Sequence, residues 1–101
     1  MRPREIVLFC DYEADPVWHA RKPRAMIALD SLPLSDPTKA ALRAWAASYE
    51  RLEEHGYEWP EPAGEADHDA EGERLRRIVQ EELGPDWKVG LLPESGGRIR
   101  W

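Results

Sequence analysis

The sequence predicts one α+β domain, in which a small β-sheet packs against two amphipathic helices. One short apolar run near the start of the chain and another near its end have the character of strands, and two longer segments between them have a helical period. The chain has 101 residues, the length of one domain. Although 34% of the residues are charged, five Trp and three Tyr provide the large apolar groups that a disordered chain lacks.

The first third of the chain predicts a strand and a turn. The β-branched and aromatic run 6–10, Ile-Val-Leu-Phe-Cys, is typical of a buried central strand. Asp15-Pro16 ends the extended segment because proline lacks a ladder donor, and we expect the turn to set Trp18 against the core. After the basic residues 21–24, the apolar segment 25–29 predicts a loose hairpin or an edge strand.

The first helix is predicted from about Asp36 to Glu54. Ser35 or Asp36 can cap its free amides, and Pro37 suits its first turn. Apolar side chains recur at three- and four-residue spacing and predict the buried stripe: Ala41, Leu42, Trp45, Tyr49 and Leu52. Gly56 is placed to end the helix in a left-handed conformation.

The second helix is predicted from Asp67 or Asp69 to Leu83, with acids in its first turn and Gly84-Pro85 as its stop. The next segment alternates, with Trp87, Val89 and Leu91 on one face, and predicts a C-terminal strand. The last four residues, 98–101, could add a short terminal strand.

The charge is strongly uneven. The net charge is -6, but residues 50–73 hold ten acids and one base, which leaves the rest of the chain at +3. An acidic protein is a poor ligand for nucleic acid or anionic membranes. The first apolar run is too short for a signal peptide or a membrane span. These features and the single Cys10, which excludes an internal disulfide, predict a cytoplasmic protein.

Signatures of catalysis and of cofactors are absent from the sequence. The three histidines are far apart, and only one cysteine exists, so no zinc pattern forms. Asp67-His68-Asp69 fits capping acids better than a metal site. Cys10 is predicted to be a buried strand residue rather than a nucleophile, because the neighbouring acids raise a thiol pKa. We therefore expect neither a metal nor a cofactor.

Two surfaces are candidates for binding. The segment 57–66 should be a solvated loop, yet it contains Trp59, whose ring either folds back on the core as a lid or stays exposed for a partner. The predicted partner-binding residues are Tyr57, Glu58, Trp59, Glu61, Glu65, Asp67 and Asp69. A second candidate is a pocket formed by Asp11, Tyr12, Asp15 and Trp18, which would suit a small enzyme or a ligand-binding protein. A third alternative is an assembly subunit that pairs through residues 98–101.

Several motifs resemble those of a widespread group of small uncharacterised bacterial proteins. The shared features are a D-Y-x-A-x-x-hydrophobic-W stretch, here residues 11–18, and the L-P-L-S that starts a helix, here residues 32–35. In size and acidity these proteins are similar to immunity proteins that neutralise antibacterial toxins. The resemblance implies no catalytic residue. With the acidic segment, it favours an immunity or antitoxin-like protein that binds a basic toxin or effector and neutralises it.

Overall fold

The sheet has three strands in the order β2-β1-β3 and packs against a pair of helices. The structure, a computed structural model, describes residues 2–101. Its elements are β1 (Arg4–Leu8), β2 (Val17–His19), α1 (Asp36–Glu50), α2 (Gly64–Leu83) and β3 (Trp87–Leu91). β1 pairs antiparallel with β2 and parallel with β3. The predicted α+β fold is confirmed.

The core lies between the sheet and the helices. Alternate residues of β1, Ile6 and Leu8, point toward the helices and are almost fully buried. Val89 and Leu91 do the same from β3, so the predicted apolar face of that strand is confirmed. Parallel strands need a long crossover connection, and the two helices provide it.

Trp18 lies on the other face of the sheet, so the expectation that it packs against the core was wrong. Val17 occupies the core-facing position of β2, and alternation turns the next side chain away. Trp18 pairs with Val7 of β1, is half-buried, and donates its Nε1–H to the carbonyl of Phe9 at 2.9 Å. Its ring also meets the Phe9 ring edge-on, with 6.3 Å between centroids.

The C-terminal residues cover part of this second face. A Cβ on Gly90 would lie 2.5 Å from Cγ2 of Ile99 and 2.9 Å from Cε3 of Trp101. Arg100 and Leu91 exchange two backbone hydrogen bonds of 2.8 Å. The terminal strand considered for residues 98–101 is thus a single bridge.

The N-terminal strands differ in extent from those predicted. β1 begins and ends two residues earlier than the run 6–10. The edge strand is β2, and the segment 25–29 contributes one bridge, between Met26 and Trp18. The backbone N–H of Ile27 donates to the carbonyl of Val17 at 2.8 Å, so the loose hairpin is the interpretation that holds.

The start of α1 is fixed to the end of α2. Ser35 caps α1 by accepting the N–H of Thr38. The carboxylate of Glu82 accepts the backbone N–H of Ser35 at 2.7 Å and also binds the hydroxyls of Ser35 and Thr38. These contacts hold the pKa of Glu82 below its usual value. A charged acceptor thus satisfies amide and hydroxyl donors at a helix N-terminus.

The C-terminal end of α1 and the N-terminal end of α2 lie close to their predicted bounds. α1 ends at Glu50 and continues as a 3-10 turn, Arg51–His55, which Gly56 ends with a φ of +67° as predicted. α2 begins at Gly64, three residues before the earliest predicted start, because the turn that closes on Glu61 already sets the helical path. Asp67 and Asp69 therefore lie within the helix rather than at its cap.

Gly72 allows α2 to approach its neighbours closely. A Cβ at this position would lie 2.7 Å from Cζ2 of Trp45 and 2.9 Å from Cδ1 of Leu91. The absent side chain makes room for the Trp45 indole between helix and sheet. Trp45 is 4% exposed, as its predicted place in the core requires.

Candidate functional site

The segment after β1 meets the acidic segment at the end of α1. The ring of Tyr12 lies 5.0 Å from that of Tyr49 and 5.8 Å from that of Tyr57, measured between centroids. The backbone N–H of Glu13 donates to the carboxylate of Glu50 at 3.0 Å. The two candidate surfaces, separate in the sequence, therefore share one border.

A groove of about 420 Å³ opens at this border. Its walls carry two phenols and three carboxylates: Tyr12, Glu13, Glu50, Glu53 and Tyr57. Tyr57 is 64% exposed, so its ring is accessible to a partner. Glu13 and Tyr57 both have positive φ, 58° and 63°. Such strained backbone positions occur often at functional sites.

A row of aromatic rings continues from the groove toward α2. The Tyr49 ring lies 5.9 Å from the ring of His68, and His68 lies 5.0 Å from Trp59. His68 also stacks on Trp45 at 4.9 Å, with 18° between the ring planes. Trp59 is half-buried over this stack, so its ring folds back, as expected for a lid, and yet keeps an accessible side.

Asp69 holds the loop after β3. Its carboxylate accepts the backbone N–H groups of Glu94 and Ser95 at 2.8 and 3.2 Å, and the residue is 7% exposed. The loop brings Glu94 toward the same acidic region. Burial, followed by the charge of Asp69, raises the pKa of Glu94 to about 7.

The Glu94 carboxyl should make stability fall as pH rises. Its folded-state pKa is raised, so its contribution is full below pH 4.5, the ordinary value for glutamate, and is lost as pH rises through about 7. Glu94→Gln stays neutral throughout. We expect it to raise the free energy of unfolding by about 1–2 kcal/mol at pH 8, since one pKa unit is worth about 1.4 kcal/mol and the carboxyl is partly solvated.

Urea denaturation of both proteins at pH 8 and at pH 4 measures this difference, which should shrink at the lower pH. His68 acts in the opposite sense, because burial lowers its pKa and its contribution is lost as pH falls below 6.5. The effect of His68 on stability is the same in the wild-type chain and in Glu94→Gln, so it cancels in their difference. Glu58→Gln, at an exposed acid, is the control. An equal effect of Glu94→Gln at both pH values would contradict the assignment.

The predicted partner-binding residues divide into three groups. Glu58, Glu61, Glu65 and Asp67 are exposed, like Tyr57. Trp59 is half-exposed, whereas Asp69 is buried and its oxygens bind the loop after β3. Glu50 and Glu53 belong to the acidic segment 50–73 and share the groove with Tyr57, whereas Glu13, which also lines it, was not among the predicted binding residues. The helical period of α1 placed Glu50 and Glu53 off its apolar face, but no sequence pattern indicated that Tyr12 would meet Tyr57.

The four residues of the alternative pocket point in different directions. Tyr12 lines the groove with Tyr57, and Asp11 accepts its own neighbour's backbone N–H at 2.8 Å. Asp15 accepts the N–H of Leu29 at 3.0 Å and lines a separate groove beneath α1. Trp18 lies in β2 on the far face of the sheet.

Burial disfavours the ionised forms of the Cys10 thiol and the Tyr49 phenol. Cys10 is 1% exposed, and burial raises its pKa, which opposes thiolate formation. Burial, with a smaller effect of Glu94, raises the pKa of Tyr49 to about 12, so this phenol stays neutral. In the part of the chain that the structure describes, no group of three or more His, Cys, Asp or Glu side chains is arranged to hold a metal ion.

The described residues form an α+β domain in which exposed carboxylates lie beside accessible aromatic rings. The chain matches the Serratia CdiI immunity protein-like family over residues 4–94, and it belongs to that family. The match assigns it the general role of an immunity protein. No curated protein matches the chain. Across residues 2–101, none of the helices has the length and apolar character needed to cross a bilayer.

Proposed function

We propose that this chain is a non-catalytic immunity protein that neutralises a basic toxin or effector in the cytoplasm by binding it through the acidic face. We define the acidic face as the residues of segment 50–73 that reach the surface, together with Tyr12 and Glu13. Membership of the immunity-protein family supports a protein partner. To this family role we add two proposals: the acidic face is the binding surface, and the surface of the partner is basic.

One observation carries the proposal: exposed carboxylates and accessible aromatic rings meet on the same face. Complementary charge accelerates the encounter of two proteins and excludes wrong partners. Aromatic side chains provide most of the energetic anchors at protein interfaces. Tyr12 and Tyr57 line the groove with three glutamates, and Trp59 lines a concavity with Asp67 and Glu71. Nucleic acid and anionic membranes are disfavoured partners for such a face.

Binding and catalysis can be separated by stoichiometry. The candidate partner is the product of the neighbouring open reading frame, which should be purified in an inactive form for binding and produced inducibly in cells for protection. We expect a stable complex on size-exclusion chromatography and full neutralisation of the active toxin at about one chain per toxin. Neutralisation at a small fraction of one equivalent would indicate an enzyme. Lack of any complex with the toxin would also overturn the proposal.

A further inference from the structure

The acidic face has a second concavity beside the groove, of about 520 Å³, between α1 and the first turns of α2. Trp45 and Trp59 form aromatic walls, His68 lies at the bottom, and the carboxylates of Asp67 and Glu71 stand at the rim. Glu71 already pairs with Arg74, whereas Asp67 is exposed and forms no ion pair within residues 2–101. The pocket thus combines π faces with a free negative charge.

His68 is the unusual feature of this pocket. The residue is 5% exposed, and within residues 2–101 neither of its ring nitrogens has a hydrogen-bond partner. Buried polar side-chain atoms nearly always have partners. Burial lowers the pKa of this imidazole, so the ring is neutral and one nitrogen carries a free lone pair. Among the described residues, the nitrogen with the lone pair therefore lacks a donor, and the nitrogen that carries the hydrogen lacks an acceptor.

The ring of Trp59 lies against the His68 ring, with 5.0 Å between their centroids. It rests on Gly64, where a Cβ would lie 3.1 Å from Cβ and Cε3 of Trp59. Its neighbours Glu58, Pro60 and Glu61 are exposed, so the backbone around the ring has little packing. Segments with few buried contacts open at low cost. A small outward movement of Trp59 would uncover His68 without disturbing the core.

An arginine side chain suits the aromatic walls, the free charge of Asp67 and the lone pair of His68. Its guanidinium is planar and stacks on aromatic faces, it is always charged, and it offers five donors. A lysine ammonium has no plane to stack, and an anionic group would be repelled by Asp67. We propose that this pocket is a socket for one arginine of the toxin, whose guanidinium contacts the Trp59 indole, faces Asp67 and donates an N–H to His68. The biological identity of this arginine rests on the proposed function.

The isolated chain tests the socket without a toxin. The probe is N-acetyl-arginine N-methylamide, and its control is the neutral citrulline analogue of the same shape. NMR should show saturable shifts of the Trp59 indole signal and of a His68 ring nitrogen with the arginine compound alone. His68→Phe keeps the stacking but lacks the lone pair, so it should stay folded and lose the response. Equal responses to both compounds, or no saturable response, would overturn the socket.

The affinities of the variants for the toxin then distinguish the arginine socket from the proposed function. Trp59→Ala and Asp67→Asn should each weaken the complex, with an effect for Trp59→Ala of about 30-fold, mainly through faster dissociation. Glu81→Gln is the matched control, an exposed acid in the second half of α2 that lies outside both the acidic face and this pocket. Wild-type affinity of both variants would overturn the socket and leave the proposed function standing. If the wild-type chain fails to bind the toxin, the proposed function falls, and the arginine titration still decides the socket.

Discussion

Replacing Trp45 with alanine is expected to lower the free energy of unfolding by about 3–5 kcal/mol, the usual cost of removing a buried Trp. The indole is 4% exposed and fills the space that Gly72 leaves between α1, α2 and the sheet. It also donates Nε1–H to the carbonyl of His68 at 3.0 Å, and that carbonyl would lose a partner. Urea denaturation, followed by far-UV circular dichroism, measures the loss.

Trp59→Ala is the matched control for this prediction, because it removes the same side chain from the half-exposed side of the His68 ring. Its cost should be much smaller, since less apolar surface leaves the folded state and the loop can relax. Trp45→Phe should fall between the two, because a smaller ring still stacks on His68 but does not donate. Equal costs for Trp45→Ala and Trp59→Ala would mean that the core does not depend on the contact at Gly72.

The elements with strong periodicity were predictable from sequence, and the reasons are local. In α1 the period of apolar residues, the Ser35 cap and Gly56 all act within a few residues of each other, and the helix forms where they indicate. The apolar face of β3 follows from strict alternation. In both elements local preference and packing agree, which is the condition for a sequence to predict its own structure.

Trp18 shows why other parts of the fold could not be predicted from the sequence. A Trp at the end of a turn suggests a core residue by its size alone, but its direction depends on pairing with Val7. Pairing register decides which of two adjacent residues, Val17 or Trp18, faces the helices. A single bridge at Met26 likewise replaces the strand that the composition of residues 25–29 suggested.

The candidate site was predictable in composition but not in geometry. The density of acids in residues 50–73 is visible in the sequence, and so is the unexpected Trp59. The contact between Tyr12 and Tyr57 joins residues 45 positions apart, and the burial of His68 between two indoles depends on how the helices cross. The sequence suggests that Asp69 is one more surface acid, yet its carboxylate accepts the backbone N–H of Glu94 and holds that loop.

Reversing two loop charges, Glu58→Lys with Glu61→Lys, is expected to slow association with the basic toxin about 10-fold at low ionic strength, within the range of electrostatic steering. Both carboxylates are exposed, and among the described residues neither forms an ion pair, so folding should change little. Glu65 is left intact because it lies in the first turn of α2 and contributes to the raised pKa of Glu94. Stopped-flow mixing at several salt concentrations gives the rates.

The matched control is Glu81→Lys with Asp86→Lys, which changes the net charge by the same amount. Both residues are exposed and lie toward or beyond the C-terminal end of α2, a helix about 30 Å long at 1.5 Å per residue. At physiological salt that separation exceeds the Debye length of about 8 Å, and at low ionic strength, where the Debye length reaches about 30 Å, the control pair reports the effect of the general charge. The association rate of the variant with Glu58→Lys and Glu61→Lys should approach that of the wild-type chain as salt rises, because salt screens the charges that were reversed. Equal slowing by both pairs would show that overall charge, rather than the acidic face, guides the toxin, and the binding surface would have to be sought elsewhere on the domain.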